Sequence, residues 1–317
     1  MWGYLDLRPW YDRLAEAAPA TGPGRQGVEP IGEVWLTGDE CVIATGPHAG
    51  ETLAGLFGEA SVALLGVGAP SPASPLLLKV IFAREKLSVQ VHPNDKLAQK
   101  YGQPRGKTEC WYALAAEPGA QVAVGLKQGV TLERVKAGVH DGTLEESLTM
   151  VLVDAGDTIF VDAGTVHAIW PGSILLETQQ NCDLTYRLYD YGRPRELHVE
   201  KALEAIRLDT RAGKIAPKVL ADRTILVDSE YFCMERIVVN GIKDSADLPG
   251  QDEPAKGLSY LFAAAGSGRI AGPAFDSVAL PEHGIVAIPA ASPAFTVEDL
   301  GGLDLIRIST RWPKVQA

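Results

Sequence analysis

The sequence has few cysteines, and none of them is placed to pair with a close neighbour. Four are spread along the 317 residues without C-x-x-C spacing: Cys41, Cys110, Cys182 and Cys233. Disulfide frameworks and thiolate zinc sites need cysteines at characteristic spacings. We therefore expect neither kind of site, and the isolated thiols indicate a reducing compartment.

Long apolar runs and positive charge are also scarce. No stretch approaches the ~18 apolar residues that a membrane span needs, and Asp6 and Pro9 stand where a signal peptide would have an apolar run. The net charge of −11 disfavours nucleic acid, whose phosphates need clustered Lys and Arg. We expect a cytoplasmic protein that binds neither nucleic acid nor membrane. A small anion remains an acceptable ligand, because a pocket on an acidic protein can still be basic.

Turn-forming residues are abundant, with 33 glycines and 21 prolines. Short β-type runs recur between them, and the nearly continuous apolar run Leu76–Phe82 is typical of a strand buried on both faces. The pattern predicts a mostly β protein with a boundary near residue 215, where a new series of strands begins. Short helices are predicted after the capping residues Asn94, Thr131 and Thr143, and over residues 199–208.

A polar pair in the segment L-S-V-Q-V-H-P-N-D is the most informative feature. Gln90 and His92 alternate with two valines, so on a strand their side chains lie on the same face. Glu109 follows seventeen residues after His92, within G-K-T-E-C-W-Y, and Lys107 shares its face of a strand. This pattern indicates a strand whose valine face packs in a core and whose polar face lines a chemical site.

A second histidine lies in a turn that contains glycines. Gly156, Asp162, Gly164 and His167 follow one another at spacings close to those of the second cupin motif, in which Asp162 replaces the usual proline. The glycines permit tight turns at the rim of a barrel, and the histidine then enters its interior. His92 and His167, with Gln90 and Glu109, form a candidate four-ligand metal site.

With these motifs together, the sequence resembles the type I mannose-6-phosphate isomerases in their short bacterial form. The resemblance covers most of residues 30–210, and the combination of S-x-Q-x-H-P-x-D with K-x-E is specific. It implies a Zn²⁺-dependent isomerase that interconverts mannose 6-phosphate and fructose 6-phosphate through an enediol. It also implies two cupin-type jelly-roll units, with short helices on the first.

The resemblance further implies a role for each matching residue. Gln90, His92, Glu109 and His167 correspond to zinc ligands. Lys107 stands beside the glutamate ligand as a catalytic and substrate-binding residue, and Arg187 lies next to the reacting carbons. Ser88 corresponds to a residue at the phosphate end of the substrate, and Glu177 and Asp183 to acidic residues of the same active site. The implied domains are a catalytic cupin domain over 1–215 and a degenerate cupin-like β domain over 216–317.

Structural explanations compete with several of these roles. Glu109 could form an ordinary ion pair with Lys107, and Arg187 could stack on neighbouring tyrosines. Glu177 and Asp183 could each orient Arg187 or another cation, and a strand serine such as Ser88 needs no function. Two other classes of protein also remain open: an Fe(II)-dependent cupin oxygenase with His92, Glu109 and His167 as ligands, and a non-catalytic sugar-binding or regulatory cupin.

Overall fold

The computed structural model describes residues 31–69, 71–248 and 257–312, and antiparallel strands dominate this part of the chain. The mostly β fold predicted from the sequence is confirmed. The described residues divide into two compact units. The 76–216 unit also contains residues 32–35, and the 217–312 unit also contains residues 36–75.

Residues 36–75 therefore differ from the predicted arrangement, which placed them in the domain 1–215. Helix α1 (Leu53–Leu65) explains the difference, because the backbone amides of Ala290 and Ala291 donate to the carbonyls of Leu64 and Ala63. The separate roles of the domains 1–215 and 216–317 stay predictions. Residues 1–30 of the first predicted domain lie outside the described residues.

Two antiparallel sheets pack against each other in the 76–216 unit. The larger has the strand order β1-β2-β9-β4-β7-β11, and the smaller has the order β10-β3-β8-β5-β6. Their strands are β1 (Glu33–Trp35), β2 (Leu76–Ala83), β3 (Val89–Val91), β4 (Glu109–Ala116), β5 (Gln121–Leu126), β6 (Leu148–Leu152), β7 (Thr158–Val161), β8 (His167–Ile169), β9 (Ser173–Gln180), β10 (Tyr186–Tyr189) and β11 (Gly213–Lys214).

One apolar core lies between these sheets. Trp111 and Leu175 of the larger sheet share it with Val122 and Ile169 of the smaller one. Every residue of β2 is buried, as its continuous apolar sequence predicts. A second core covers the other face of the smaller sheet with helices. The helices of this unit are α2 (Asp95–Lys100), α3 (Leu132–Asp141) and α4 (Val199–Ala205), with a 3-10 helix over Leu144–Ser147.

The helix predictions succeed where a side chain caps the first turn. Asn94 Oδ1 accepts from the Leu97 amide at 2.9 Å, and Thr131 Oγ1 accepts from the Arg134 amide at 3.3 Å. The capping box predicted at Thr143 is wrong, because its hydroxyl donates to Asp141 Oδ1 at 2.6 Å and makes no cap. The predicted helix over 199–208 ends at Ala205, because Ile206 is extended.

The 217–312 unit also contains two antiparallel sheets around a common core. Their orders are β12-β13-β14-β21-β16-β19 and β15-β20-β17-β18. The strands are β12 (Lys218–Val219), β13 (Thr224–Asp228), β14 (Phe232–Val238), β15 (Ile242–Asp244), β16 (Ser259–Ala265), β17 (Gly268–Gly272), β18 (Phe275–Leu280), β19 (Ile285–Ile288), β20 (Thr296–Asp299) and β21 (Asp304–Thr310), with a 3-10 helix over Ser245–Asp247.

Two expectations drawn from scarce residue types can be compared with the fold. All four cysteines are free, and three of them are buried. Within the described ranges, no helix is long and apolar enough to cross a membrane.

Candidate metal centre

Three buried side chains converge between the two sheets of the 76–216 unit. His92 directly follows β3, His167 begins β8, and Glu109 begins β4 of the opposite sheet. Each is about 1% exposed, and their ligand atoms all lie within 4.8 Å of one another. Among the described residues, this is the one group of three such side chains close enough to hold a metal ion.

The separations between donor atoms suit a single small cation. Glu109 Oε2 lies 3.4 Å from His92 Nε2, and Glu109 Oε1 lies 3.3 Å from His167 Nε2. Two donors on one tetrahedral zinc, with bonds of about 2.0–2.1 Å, would stand roughly 3.3 Å apart. The measured separations of these donor atoms therefore fit coordination of one metal ion.

The fourth predicted ligand lies in the same cluster. Gln90 pairs with His167 across β3 and β8, and its Nε2 lies 3.2 Å from His167 Nε2 and 3.5 Å from His92 Nε2. Its Oε1 accepts a hydrogen bond from the Ser88 hydroxyl at 3.1 Å. The structure thus brings Gln90 to both histidines, and Ser88 is buried beside this amide.

Hydrogen bonds fix which nitrogen of each imidazole carries a lone pair toward the centre. His92 Nδ1 lies 2.9 Å from the Leu184 carbonyl, and His167 Nδ1 lies 2.9 Å from the Thr165 carbonyl. Because a carbonyl only accepts, each Nδ1 must be the donor, which leaves Nε2 free to coordinate. Burial lowers the pKa of His167 to about 4 and that of His92 well below its usual value. Both rings are therefore neutral near pH 7.

Glu109 is a buried carboxylate that lacks hydrogen-bond donors. Neither oxygen receives a well-directed hydrogen bond from the residues that the structure describes, and Lys107 Nζ approaches Oε2 only to 3.4 Å. Burial raises the pKa of Glu109, although the Lys107 ammonium opposes this change. A bound cation would supply the missing partner. The donor set, its tautomers and this carboxylate together fit a metal ion.

The turn before His167 explains how the sequence departs from the cupin motif. Asp162 is buried, and its Oδ1 accepts from the Thr165 hydroxyl at 2.9 Å. The Gly164 amide donates to the His92 carbonyl at 2.8 Å, and Gly164 has φ 93°, which favours glycine. Asp162 thus closes the turn with its carboxylate where the motif uses a proline ring.

Lys79 is a buried lysine near the site, in addition to Lys107, and the sequence analysis did not predict it. It lies on β2 directly opposite Glu177 of β9, and Lys79 Nζ is 3.7 Å from Glu177 Oε2 and 3.8 Å from Asp183 Oδ1. The same Nζ lies 4.7 Å from the centroid of the Trp35 ring. Glu177 and Asp183 therefore pair with Lys79 rather than with Arg187. A signal existed, because a lysine inside a continuous apolar strand must find a buried partner.

Glu177 also connects this ion pair to the core beside the site. Its Oε1 accepts from Trp111 Nε1 at 3.0 Å, and the Trp111 ring packs edge-on against His167. Burial alone would raise the pKa of Glu177, but Lys107 and Lys79 outweigh it and lower the pKa. Glu177 is thus an ionised carboxylate close to the candidate ligands.

Arg187 lies on β10 as the direct partner of Gln90 on β3. Paired residues direct their side chains to the same face of a sheet, so the guanidinium lies on the face of Gln90 and His167. Arg187 Nε is buried, and no hydrogen-bond partner for it exists among the described residues. An anionic ligand would satisfy this donor.

The end of β10 is held by a buried carboxylate. Asp190 is about 2% exposed, and its oxygens accept from Arg193 Nη2 and from Arg195 Nε, each at 2.7 Å. Burial alone would raise the pKa of Asp190, but the hydrogen bonds from Arg195 and Arg193 outweigh it and lower the pKa. The strand that bears Arg187 is therefore anchored by ion pairs.

We expect Asp190→Asn to lower the free energy of unfolding by about 1–3 kcal/mol at pH 7, because charge-assisted hydrogen bonds to two guanidinium groups are weakened. The carboxyl has a lowered folded pKa, so its contribution is present above its unfolded pKa of about 4 and is lost as pH falls through the folded value. Denaturant unfolding at pH 7 and pH 3 measures the effect. Asp154→Asn, at an exposed turn, is the control. Equal stability of both variants at pH 7 would contradict the anchor.

Two packed antiparallel sheets with this buried donor cluster define a cupin-type protein with a candidate metal centre. Residues 11–126 match the family Phosphomannose isomerase type I, catalytic domain. The mannose-6-phosphate isomerase of Streptococcus mutans is 34% identical over 67% of this chain and 71% of its own length. ManA of Bacillus subtilis is 39% identical over 56% of this chain and 58% of its length.

A solved structure extends the similarity to nearly the whole chain. The mannose 6-phosphate isomerase crystal structure from Bacillus subtilis superposes with a TM-score of 0.78 at 30% identity, covering 97% of this chain and 95% of that one. The chain belongs to the type I mannose-6-phosphate isomerase family of enzymes. The resemblance found in the sequence motifs is thereby confirmed.

Proposed function

We propose that this protein interconverts mannose 6-phosphate and fructose 6-phosphate in a zinc-dependent reaction through an enediol. The observation that carries the proposal is the convergence of the half-buried Gln90 with the buried His92, Glu109 and His167, in a chain of this family. The reaction moves a proton between C1 and C2 of the sugar. It needs a base at carbon and a cationic environment at the adjacent oxygens.

The four ligand candidates suit zinc. Gln90, His92, Glu109 and His167 would hold the ion with two neutral imidazoles, one neutral amide and one carboxylate, leaving a net charge of about +1. Zinc in this setting supplies Lewis acidity toward the sugar oxygens and attraction for an anionic substrate. The Ser88 hydroxyl supports this assignment, since it can accept from the Gln90 amide nitrogen when the amide turns its oxygen inward.

Two cations of the chain itself act on the substrate in this proposal. Lys107 is buried and close to Glu109, where it stabilises negative charge that develops on the sugar oxygens. Arg187 presents a planar guanidinium with an unsatisfied Nε to the phosphate or to the enediolate. Glu177 and Asp183 hold Lys79 and so keep the local charge balanced. Ser88 remains a candidate contact at the phosphate end.

We expect the purified protein to convert mannose 6-phosphate to fructose 6-phosphate, because the site combines metal donors with substrate-directed cations. A coupled assay before and after chelation measures this. Chelation is expected to abolish most turnover, and added zinc to restore it. Unphosphorylated mannose is the matched control substrate. If the metal-loaded protein does not isomerise mannose 6-phosphate, the proposal is wrong.

The same preparation separates the competing classes. His92, Glu109 and His167 have the composition of an iron-binding facial triad, whereas the nearness of Gln90 and Lys107 supports the isomerase. Turnover under strictly anaerobic conditions excludes the oxygenase. Oxygen consumption that requires Fe(II), with no isomerisation, would favour it, and sugar binding without either reaction would favour a regulatory cupin.

A further inference from the structure

Three consecutive backbone amides around Lys107 are tied to groups from distant segments. The Gly106 amide donates to Asp95 Oδ1 at 2.7 Å, the Lys107 amide to the Pro93 carbonyl at 3.0 Å, and the Thr108 amide to Gln180 Oε1 at 2.8 Å. Residues 103–108 precede β4 and form no strand or helix. These bonds therefore replace the ladder that would otherwise fix the backbone.

One carboxylate oxygen connects the two side-chain acceptors. Asp95 Oδ1 also accepts from Gln180 Nε2 at 2.9 Å, so the Gln180 amide bridges Asp95 to the Thr108 backbone. Gln180 is buried, and its own backbone amide donates to the Thr108 carbonyl at 3.1 Å. We name Asp95 and Gln180 the loop clamp.

Gly106 packs closely against the segment that follows His92. A Cβ on this residue would stand 2.5 Å from the Pro93 carbonyl oxygen and 2.7 Å from the Asp95 nitrogen. Only glycine allows the loop to approach the segment that follows His92 so closely. The backbone of Lys107 is thus set directly against the segment that follows a metal-ligand candidate.

The clamp fixes Lys107 far more than it fixes Glu109. Glu109 is already held by strand pairing of β4 with β7 and β9, where it lies opposite Val161 and Gln179. Lys107 has no such pairing, yet its buried Nζ must remain close to Glu109. A displacement of the order of 1 Å in a reacting group can cost about 10²-fold in rate.

We propose that Asp95 and Gln180 are positioning residues for the isomerisation, acting through Lys107. This inference rests on the proposed function, since it assigns the clamp to the group that stabilises charge on the sugar. The side-chain hydrogen bonds that define the clamp join Asp95, Gln180 and the backbone amides of Gly106 and Thr108, and none of them involves a candidate ligand atom or Ser88. Loss of the clamp leaves metal binding intact and withdraws the ammonium from its place.

Asp95→Ala tests the clamp. We expect kcat to fall about 10- to 100-fold with metal content unchanged, while Asp95→Asn, which keeps an acceptor oxygen, recovers most of the loss. The Asp95→Ala change is expected to cost nothing further in a Lys107→Met background, because the clamp acts through that side chain. Gln99→Ala, on the exposed side of α2, is the matched control.

Hydrogen exchange of the peptide that contains Gly106, Lys107 and Thr108 gives a readout without catalysis. Asp95→Ala should raise its exchange rate and Asp95→Asn should not. Unchanged exchange and unchanged kcat in Asp95→Ala, an additive loss in the double variant, or a loss that follows metal content would each overturn the proposal. If the wild type isomerises nothing, the proposed function has failed, and the exchange measurement alone decides the clamp.

Discussion

Replacing His92 or Glu109 by alanine is expected to remove most of the bound metal and to lower isomerase activity by more than ~10²-fold. Changes in groups that only orient metal ligands already cost about 10–100-fold, and these two residues supply donor atoms themselves. The Glu109 change also removes the carboxylate that lies 3.4 Å from the buried Lys107 ammonium. Metal analysis of the purified variants and the coupled assay measure both effects.

Matched surface substitutions control this experiment. His140→Ala and Glu230→Ala replace exposed residues of the same types and should retain metal and activity. Glu109→Gln keeps the shape of the side chain, so metal loss in that variant reports lost charge rather than a collapsed core. Circular dichroism establishes that each variant is folded. Variants that retain one metal per chain would show that the ligand assignment is wrong.

The ligand candidates were predictable because their signal is local or depends on fixed spacings. Gln90 on β3 and His92 directly after it alternate with valines, and Gln90 Nε2 lies close to the Nε2 atoms of both His92 and His167. The glycine spacing before His167 indicated a turn, and the structure has one there with Gly164 in the left-handed region. Alternation and turn chemistry can both be inferred from sequence without knowledge of strand pairing.

The sequence could not show which distant strands pair with each other. Strands β8 and β10 have three and four residues, and nothing within such short segments indicates which strands they pair with. The pairing of Arg187 with Gln90 joins positions 97 residues apart, so no local pattern contains it. Helix α1 was missed for a different reason, because Gly55 and Gly58 weaken its helical signal.

Lys79 illustrates a signal that was present but unused. The lysine interrupts the apolar run of β2, and a fully buried ammonium requires carboxylates. Its pairing with Glu177 and Asp183 leaves Arg187 without either acid. Of the two alternatives left open for these acids, the structure thus has the second, a cation other than Arg187, and this leaves Arg187 more available to a substrate anion.

Arg187→Ala is therefore expected to retain metal and to lose about 10²–10³-fold in kcat/KM, the usual cost of removing a donor aimed at developing charge. Arg187 is not one of the three residues whose ligand atoms form the metal cluster in the described structure. Arg187→Lys keeps the charge but loses the planar fork, so it should recover only part of the activity. Metal analysis and steady-state kinetics measure these outcomes.

The split between KM and kcat decides what Arg187 binds. If the guanidinium holds the phosphate equally in ground and transition states, KM rises and kcat is preserved, and the penalty vanishes with unphosphorylated mannose. If it stabilises the enediolate, kcat falls and the penalty persists with both sugars. Arg269→Ala, which removes an exposed guanidinium from the 217–312 unit, controls for a general charge effect. Full activity in Arg187→Ala would contradict a substrate-directed role, because catalysis would then not need this guanidinium. Metal loss in the same variant would also contradict that role, because Arg187 would then support the metal site.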